Sequence, residues 1–121
     1  MTSYREHLVE KELRLAVEAA GGLCYKWVSP GNNGVPDRIV IFPMGDICFV
    51  ELKTTAGKVS AIQKAQLRAI AKVAPMHVYV LYGISGVAAF MRTHHHPDLA
   101  AKLEEKYPDE HCGYCVRMQT M

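Results

Sequence analysis

Apolar residues recur at helical spacing from residue 3 to residue 20. Val9, Leu13, Ala16, Val17 and Ala20 share one face, and Gly21-Gly22 ends the run. Beyond it the pattern shortens. Leu23 to Val28 is a β-prone stretch closed by Ser29-Pro30-Gly31-Asn32-Asn33-Gly34, which is loop chemistry. Arg38 to Phe42 and Ile47 to Lys53 are apolar runs flanking Pro43-Met44-Gly45-Asp46, a spacing that predicts a β-hairpin. Helical spacing returns from Ser60 to Ala74 and stops at Pro75. His77 to Tyr82 predicts a further strand, and Gly83 to Arg92 fits a strand or a short helix. From His94 the texture becomes acidic, with Pro97 and Pro108 bracketing one short helix at Asp98 to Lys106.

A helix, a strand, a hairpin, a helical crossover and a final strand imply an α/β fold. Its mixed β-sheet is flanked by helices, with an α-β-β-β-α-β core. A length of 121 residues suits one hydrophobic core. The change in texture divides the chain into a body at 1–93 and an extension at 94–121, which is expected to pack on the body.

Composition narrows the class without giving a function. Half the residues are apolar, which excludes a disordered chain, and no apolar run approaches the ~20 residues of a membrane span. Met1-Thr2-Ser3-Tyr4-Arg5-Glu6 has no apolar signal core, so a cytoplasmic location is expected. In a reducing compartment Cys24 and Cys48 read as small buried hydrophobes. The net charge of +2 does not announce a nucleic-acid binder.

Candidate chemistry begins at Ile47-Cys48-Phe49-Val50-Glu51-Leu52-Lys53, a strand apolar on both faces and therefore central. A period of two puts Glu51 and Lys53 on one face, roughly 6–7 Å apart. Alone, E-x-K reads as an ion pair. Asp37, opening the preceding strand after Gly34-Val35-Pro36, alters that reading. A three-residue loop at Met44-Gly45-Asp46 would set Asp37 opposite Lys53 and diagonal to Glu51. Two carboxylates then converge beside one ammonium. Carboxylates repel unless a cation separates them, and oxygen ligands suit magnesium or manganese. A hard cation beside a lysine is equipment for displacement at phosphorus.

Gly34-Val35-Pro36-Asp37, a spacer of 13 residues and Glu51-Leu52-Lys53 resemble the PD-(D/E)XK nuclease signature. Gly21-Gly22-Leu23-Cys24-Tyr25-Lys26-Trp27, Ser29-Pro30-Gly31, Gly34-Val35-Pro36-Asp37-Arg38 and Gly57-Lys58-Val59-Ser60-Ala61-Ile62-Gln63 resemble its VRR-NUC branch, the virus-type replication-repair nucleases. The resemblance covers roughly residues 6 to 92. It implies a restriction-endonuclease-like fold and a Mg2+- or Mn2+-dependent endonuclease that hydrolyses branched DNA such as Holliday junctions or flaps. Its standalone members are mostly phage or bacterial proteins. By that resemblance Asp37, Glu51 and the Leu52 backbone carbonyl are metal ligands, Lys53 is the catalytic lysine, and Gln63 is the glutamine of the following helix. An acid on the first helix is also implied, with Glu10 the best match and Glu6 one turn earlier its competitor. One such site cuts one strand, so paired cuts imply a homodimer.

Gln63 has a second reading. Ser60-Ala61-Ile62-Gln63 fits a capping box. A helical projection groups Ile62, Leu67, Ile70 and Val73 on one arc with Gln63 and Gln66 inside it, so both amides need partners. Gln66 reads as a buried structural amide. Lys64, Arg68 and Lys72 line the opposite arc as a solvated face or a phosphate-tracking stripe. Lys26, Arg38 and Lys58 are better DNA contacts, with Lys64 and Arg68 behind them, and Trp27 reads as core. In the tail, Cys112-x-x-Cys115 with His94, His95, His96 and His111 offers zinc ligands. One knuckle does not fix the other two, and a histidine-rich loop with a thiol pair is the simpler reading.

Two alternatives remain. One is a sequence-specific restriction or mismatch nuclease on the same fold. The other is a non-catalytic DNA- or zinc-binding module, disfavoured because buried charges cost stability. Counted by region, residues 1–93 carry 11 basic against 7 acidic side chains and residues 94–121 carry 3 against 5. The near-neutral total therefore averages a basic body with an acidic extension.

Overall fold

The computed structural model describes residues 4–119. Helix α1 (Tyr4–Ala19) precedes strands β1 (Leu23–Lys26), β2 (Arg38–Ile41) and β3 (Ile47–Lys53); the expected first residue of α1, Ser3, lies outside the described residues. Helix α2 (Ala61–Val73) crosses to β4 (Val78–Tyr82). Helices α3 (Gly83–Thr93) and α4 (Pro97–Lys106) follow, and β5 (Tyr114–Arg117) closes the chain. The five strands form one sheet in the order β1-β2-β3-β4-β5, parallel only between β3 and β4. That pair is joined through α2, as a parallel connection requires. No helix among the described residues is long and apolar enough to cross a membrane.

Strand alternation sorts the core into two layers. Cys48, Val50 and Leu52 of β3 and Tyr79 and Leu81 of β4 pack against α1, α3 and α4. Val78 and Val80 face the other way and meet Leu67 and Ala71 of α2, with Phe49 beside them. Phe90, Leu13 and Met91 are fully buried, each stabilising the first layer by roughly 1.5–3 kcal/mol. Glu12 is also buried there, paired with Lys106 Nζ at 2.8 Å and with the Tyr107 hydroxyl.

Of the two readings open for Gly83 to Arg92, the structure takes the helix, because Val87, Phe90 and Met91 find a buried face on the sheet. Three details depart from the expectations. The extension packs on the body through α4, and it also supplies a strand that was not expected, β5, which pairs antiparallel with β4. The hairpin register pairs Ile41 with Ile47, so the connection runs over 42–46 around a 3-10 turn at Pro43–Gly45. This moves the register by two residues, which preserves the faces and sets Asp37 abreast of Glu51 instead of Lys53. Finally, α2 is rotated from the projected arc. Ile62 and Val73 are 57% and 82% exposed, Gln66 is only half-buried, and the stripe against the sheet is Gln63, Leu67 and Ala71. The sheet decides this, because Val78 and Val80 form its apolar socket.

Candidate active site

Asp37 is delivered by a loop held at both ends. Gly34 has φ +85°, a left-handed conformation, and a Cβ there would stand 2.9 Å from the Ile62 carbonyl oxygen. Pro36 is fully buried. The Asp37 carbonyl accepts the Trp27 N–H at 3.0 Å, continuing the β1–β2 ladder. Its side-chain Oδ2 accepts the Leu52 N–H at 2.9 Å, tying Asp37 to the C-terminal end of β3. In an extended strand the Leu52 carbonyl points the same way as its N–H, toward Asp37. Trp27 is half-buried and tilted on Phe49, with ring centroids 5.5 Å apart.

Glu51 is 1% exposed. Its Oε2 accepts from Gln63 Nε2 at 2.8 Å and lies 3.4 Å from Lys53 Nζ. Its Oε1 is buried without a hydrogen-bond partner among the described residues. Gln63 makes both the capping box and a buried contact for its amide. Its Oε1 accepts the Ser60 N–H at 2.9 Å in a complete capping box, while its Nε2 reaches the acid. One amide caps α2 and orients Glu51.

Electrostatics leaves this group short of positive charge. Burial, and then the charge of Asp37, push the Glu51 carboxyl up to about 8 against the pull of Lys53. The Asp37 carboxyl is also raised, chiefly by burial and further by Glu10, with the Leu52 N–H and Lys53 opposing. One lysine does not offset two packed carboxylates. The vacant lone pairs of Glu51 Oε1, the Asp37 carboxylate and the Leu52 carbonyl are hard oxygen donors, and that set fits a hard divalent cation such as magnesium or manganese.

Glu10 approaches from α1. Its Oε2 accepts from Arg38 Nε at 2.7 Å, and Arg38 also donates to the Cys24 carbonyl at 3.3 Å. Both side chains are about 15% exposed, so Arg38 is turned inward onto Glu10 and away from the surface expected of a DNA contact. Lys26, Lys58, Lys64 and Arg68 are exposed, and the last three border one groove.

The Cys112 and Cys115 thiols are not brought to a histidine cluster. Cys112 is exposed in a loop, and Cys115 lies half-buried on β5 opposite Leu81. Among the described residues, the trio whose donor atoms lie within 4.8 Å of one another is Asp46, Cys48 and His94. His94 Nδ1 is 2.9 Å from Asp46 Oδ2 and Nε2 is 3.6 Å from Cys48 Sγ. A carboxylate only accepts, so Nδ1 carries the proton and Nε2 receives the Cys48 thiol. The chain of contacts fastens the hairpin turn to the end of α3, and its donors are of the kind that hold a softer ion. Sequence reading missed it because 46 residues separate Cys48 from His94 and no local motif joins them.

No family model matches the chain. Over 63 residues, 52% of the chain and 68% of the relative, it is 48% identical to "Putative nuclease p44" of Acyrthosiphon pisum secondary endosymbiont phage 1. A solved structure described as "VRR_NUC domain" superposes with a TM-score of 0.62 at 30% identity, over 87% of this chain and 99% of that one.

Proposed function

The chain belongs to the VRR-NUC nuclease family, and from that premise we propose that it is a divalent-metal-dependent endonuclease hydrolysing phosphodiester bonds of branched DNA. The observation that carries the reading is the meeting of Asp37 and Lys53 at buried Glu51, whose Oε1 has no hydrogen-bond partner among the described residues. Asp37, Glu51 and the Leu52 carbonyl would hold Mg2+ or Mn2+. That ion, when bound, supplies positive charge at the scissile phosphate and lowers the pKa of an attacking water.

The chain's own residues do the rest. Lys53 keeps its ammonium beside Glu51 Oε2, where it orients water for attack and stabilises the negative charge that grows on the phosphoryl oxygens. Gln63 fixes the Glu51 rotamer, so the acid is preorganised when substrate arrives. Glu10, held by Arg38, adds negative charge near Asp37 and serves as the helix acid of the site. Exposed Lys26, Lys58, Lys64 and Arg68 contact DNA phosphates. A homodimer supplies two such centres for paired cuts, in the cytoplasm of a bacterial or phage-infected cell.

The test is a panel of duplex, flap, splayed-arm and four-way-junction DNA with Mg2+ or Mn2+, run beside Lys53→Ala. Cleavage of a branched substrate by wild type and its loss in the variant support the reading. A preference for one duplex sequence over every branched substrate would replace it with the restriction-type alternative.

A further inference from the structure

The extension that the family resemblance leaves unassigned builds one wall of a groove beside the acids. Tyr114 pairs across the sheet with Tyr82, and Tyr82 pairs in turn with Lys53, so one line runs from the lysine over two aromatic rings. The two rings are stacked, with centroids 4.5 Å apart and planes at 20°. Tyr114 is 52% exposed, so its outer face is open.

This geometry is constructed by the chain. A Cβ at residue 113 would fall 1.9 Å from the Tyr82 carbonyl oxygen, so only glycine lets β5 close on β4 and deliver Tyr114 onto Tyr82. Beside the rings is a cavity of about 590 Å³ with an apolar floor. Lys58, Lys64 and Arg68 stand on its rim, and among the described residues no Asp or Glu lines it.

We propose that this groove holds an unpaired nucleotide of the substrate strand, its base stacked on Tyr114 and its phosphates met by Lys58, Lys64 and Arg68. An aromatic shelf with a cationic rim matches a nucleotide, which offers a π-face and an anion together. A second copy of this chain suits the groove less well, because a twofold contact would set the same three cations against themselves. Two strand spacings separate Lys53 from Tyr114, about 10 Å. At about 3.4 Å per stacked nucleotide, the held base lies within about three positions of the scissile phosphate. The inference rests on the nuclease reading for the identity of the strand. It adds a reason for flap and splayed-arm DNA to be chosen over blunt duplex, because these substrates present unpaired bases beside a duplex.

The test uses the full chain carrying Lys53→Ala, which prevents cutting, and a short single-stranded oligonucleotide containing 2-aminopurine. Binding is expected to quench the probe. Adding Tyr114→Ala should weaken single-strand binding by roughly 5- to 150-fold and abolish the quench, whereas Tyr114→Phe should retain both. Blunt-duplex affinity should not change with Tyr114→Ala. Equal loss on single strand and duplex, or unchanged single-strand binding, would overturn the proposal. So would conversion of a dimer to a monomer by Tyr114→Ala. The two readings fail separately: branched DNA cut normally by Tyr114→Ala sinks the groove alone, while quenching without cleavage of any substrate by wild type sinks the nuclease reading.

Discussion

Gln63 and Glu51 are joined by a 2.8 Å hydrogen bond from the first turn of α2 to the centre of the sheet. The same amide accepts the Ser60 N–H, so helix initiation and acid placement depend on one side chain. Gln63→Glu separates the two duties. A glutamate still accepts from Ser60 but cannot donate to Glu51. Metal-free thermal stability should fall, because the new carboxylate faces Glu51 with no cation between them, and cation affinity should fall roughly 10- to 100-fold as the Glu51 rotamer is released, as for other partners that orient ligands. Melting curves beside isothermal calorimetry with Mn2+ decide this, and unchanged affinity reduces Gln63 to a cap.

Lys53→Ala should lower the cleavage rate by roughly 10²- to 10³-fold or more, with the circular dichroism spectrum preserved. Lys53 is the only cation against Glu51 in the structure's ion pairs among the described residues, so no neighbour replaces it. A wild-type rate in this variant would refute the mechanism.

Cation binding should depend on pH in one direction. The bound form needs both carboxylates ionised, and both carboxyls are raised, Glu51 to about 8. Below that value each pH unit gained should improve Mn2+ affinity up to roughly tenfold, levelling above about 8. Glu10→Gln removes one of the charges raising Asp37 and should move the Asp37 part of the profile to lower pH, leaving the Glu51 part near 8. Calorimetric titrations across pH 6–9 measure both.

Metal-free stability should run the opposite way. The folded-state pKa of Glu51 lies above its ordinary value of 4.5. The fold therefore favours the protonated acid, and this contribution is complete below about 4.5 and lost as pH rises through about 8. Glu51→Gln mimics the neutral form. In chelator it should melt higher than wild type at pH 8.5, with the advantage shrinking toward pH 5. A constant difference across that range would contradict the assignment.

Gly34 and Gly31 make a matched pair. Both have φ above +80°, but a Cβ at Gly34 meets Ile62 whereas one at Gly31 meets nothing within 4 Å. Alanine at either position costs about 1–2 kcal/mol for the left-handed conformation. Gly34→Ala should additionally push the Asp37 loop off α2 and depress cleavage, whereas Gly31→Ala should keep the wild-type rate. Urea melts and initial rates distinguish them.

The parts of this protein that sequence determined are those written in local period and local chemistry. Helical spacing drew α1 and α2, apolar runs flanking a turn drew β2 and β3, and Ser60 to Gln63 spelled the cap. The strand period alone put Glu51 and Lys53 on one face. Asp37 stayed on that face because the register error was two residues, and faces repeat every two.

Tertiary structure decided whatever depends on which surfaces meet. The rotation of α2 was set by its socket on β4, so Ile62 and Val73 point outward despite being apolar. Gln63 reached the acid for the same reason, and Arg38 turned inward because Glu10 stands within 2.7 Å of it. The tail became a strand because β4 had an unpaired edge and Gly113 permits the close approach. Spacing along a chain fixes which residues share a face. Only packing fixes what that face meets, and that is what brings two costly carboxylates together beside Lys53 and Gln63.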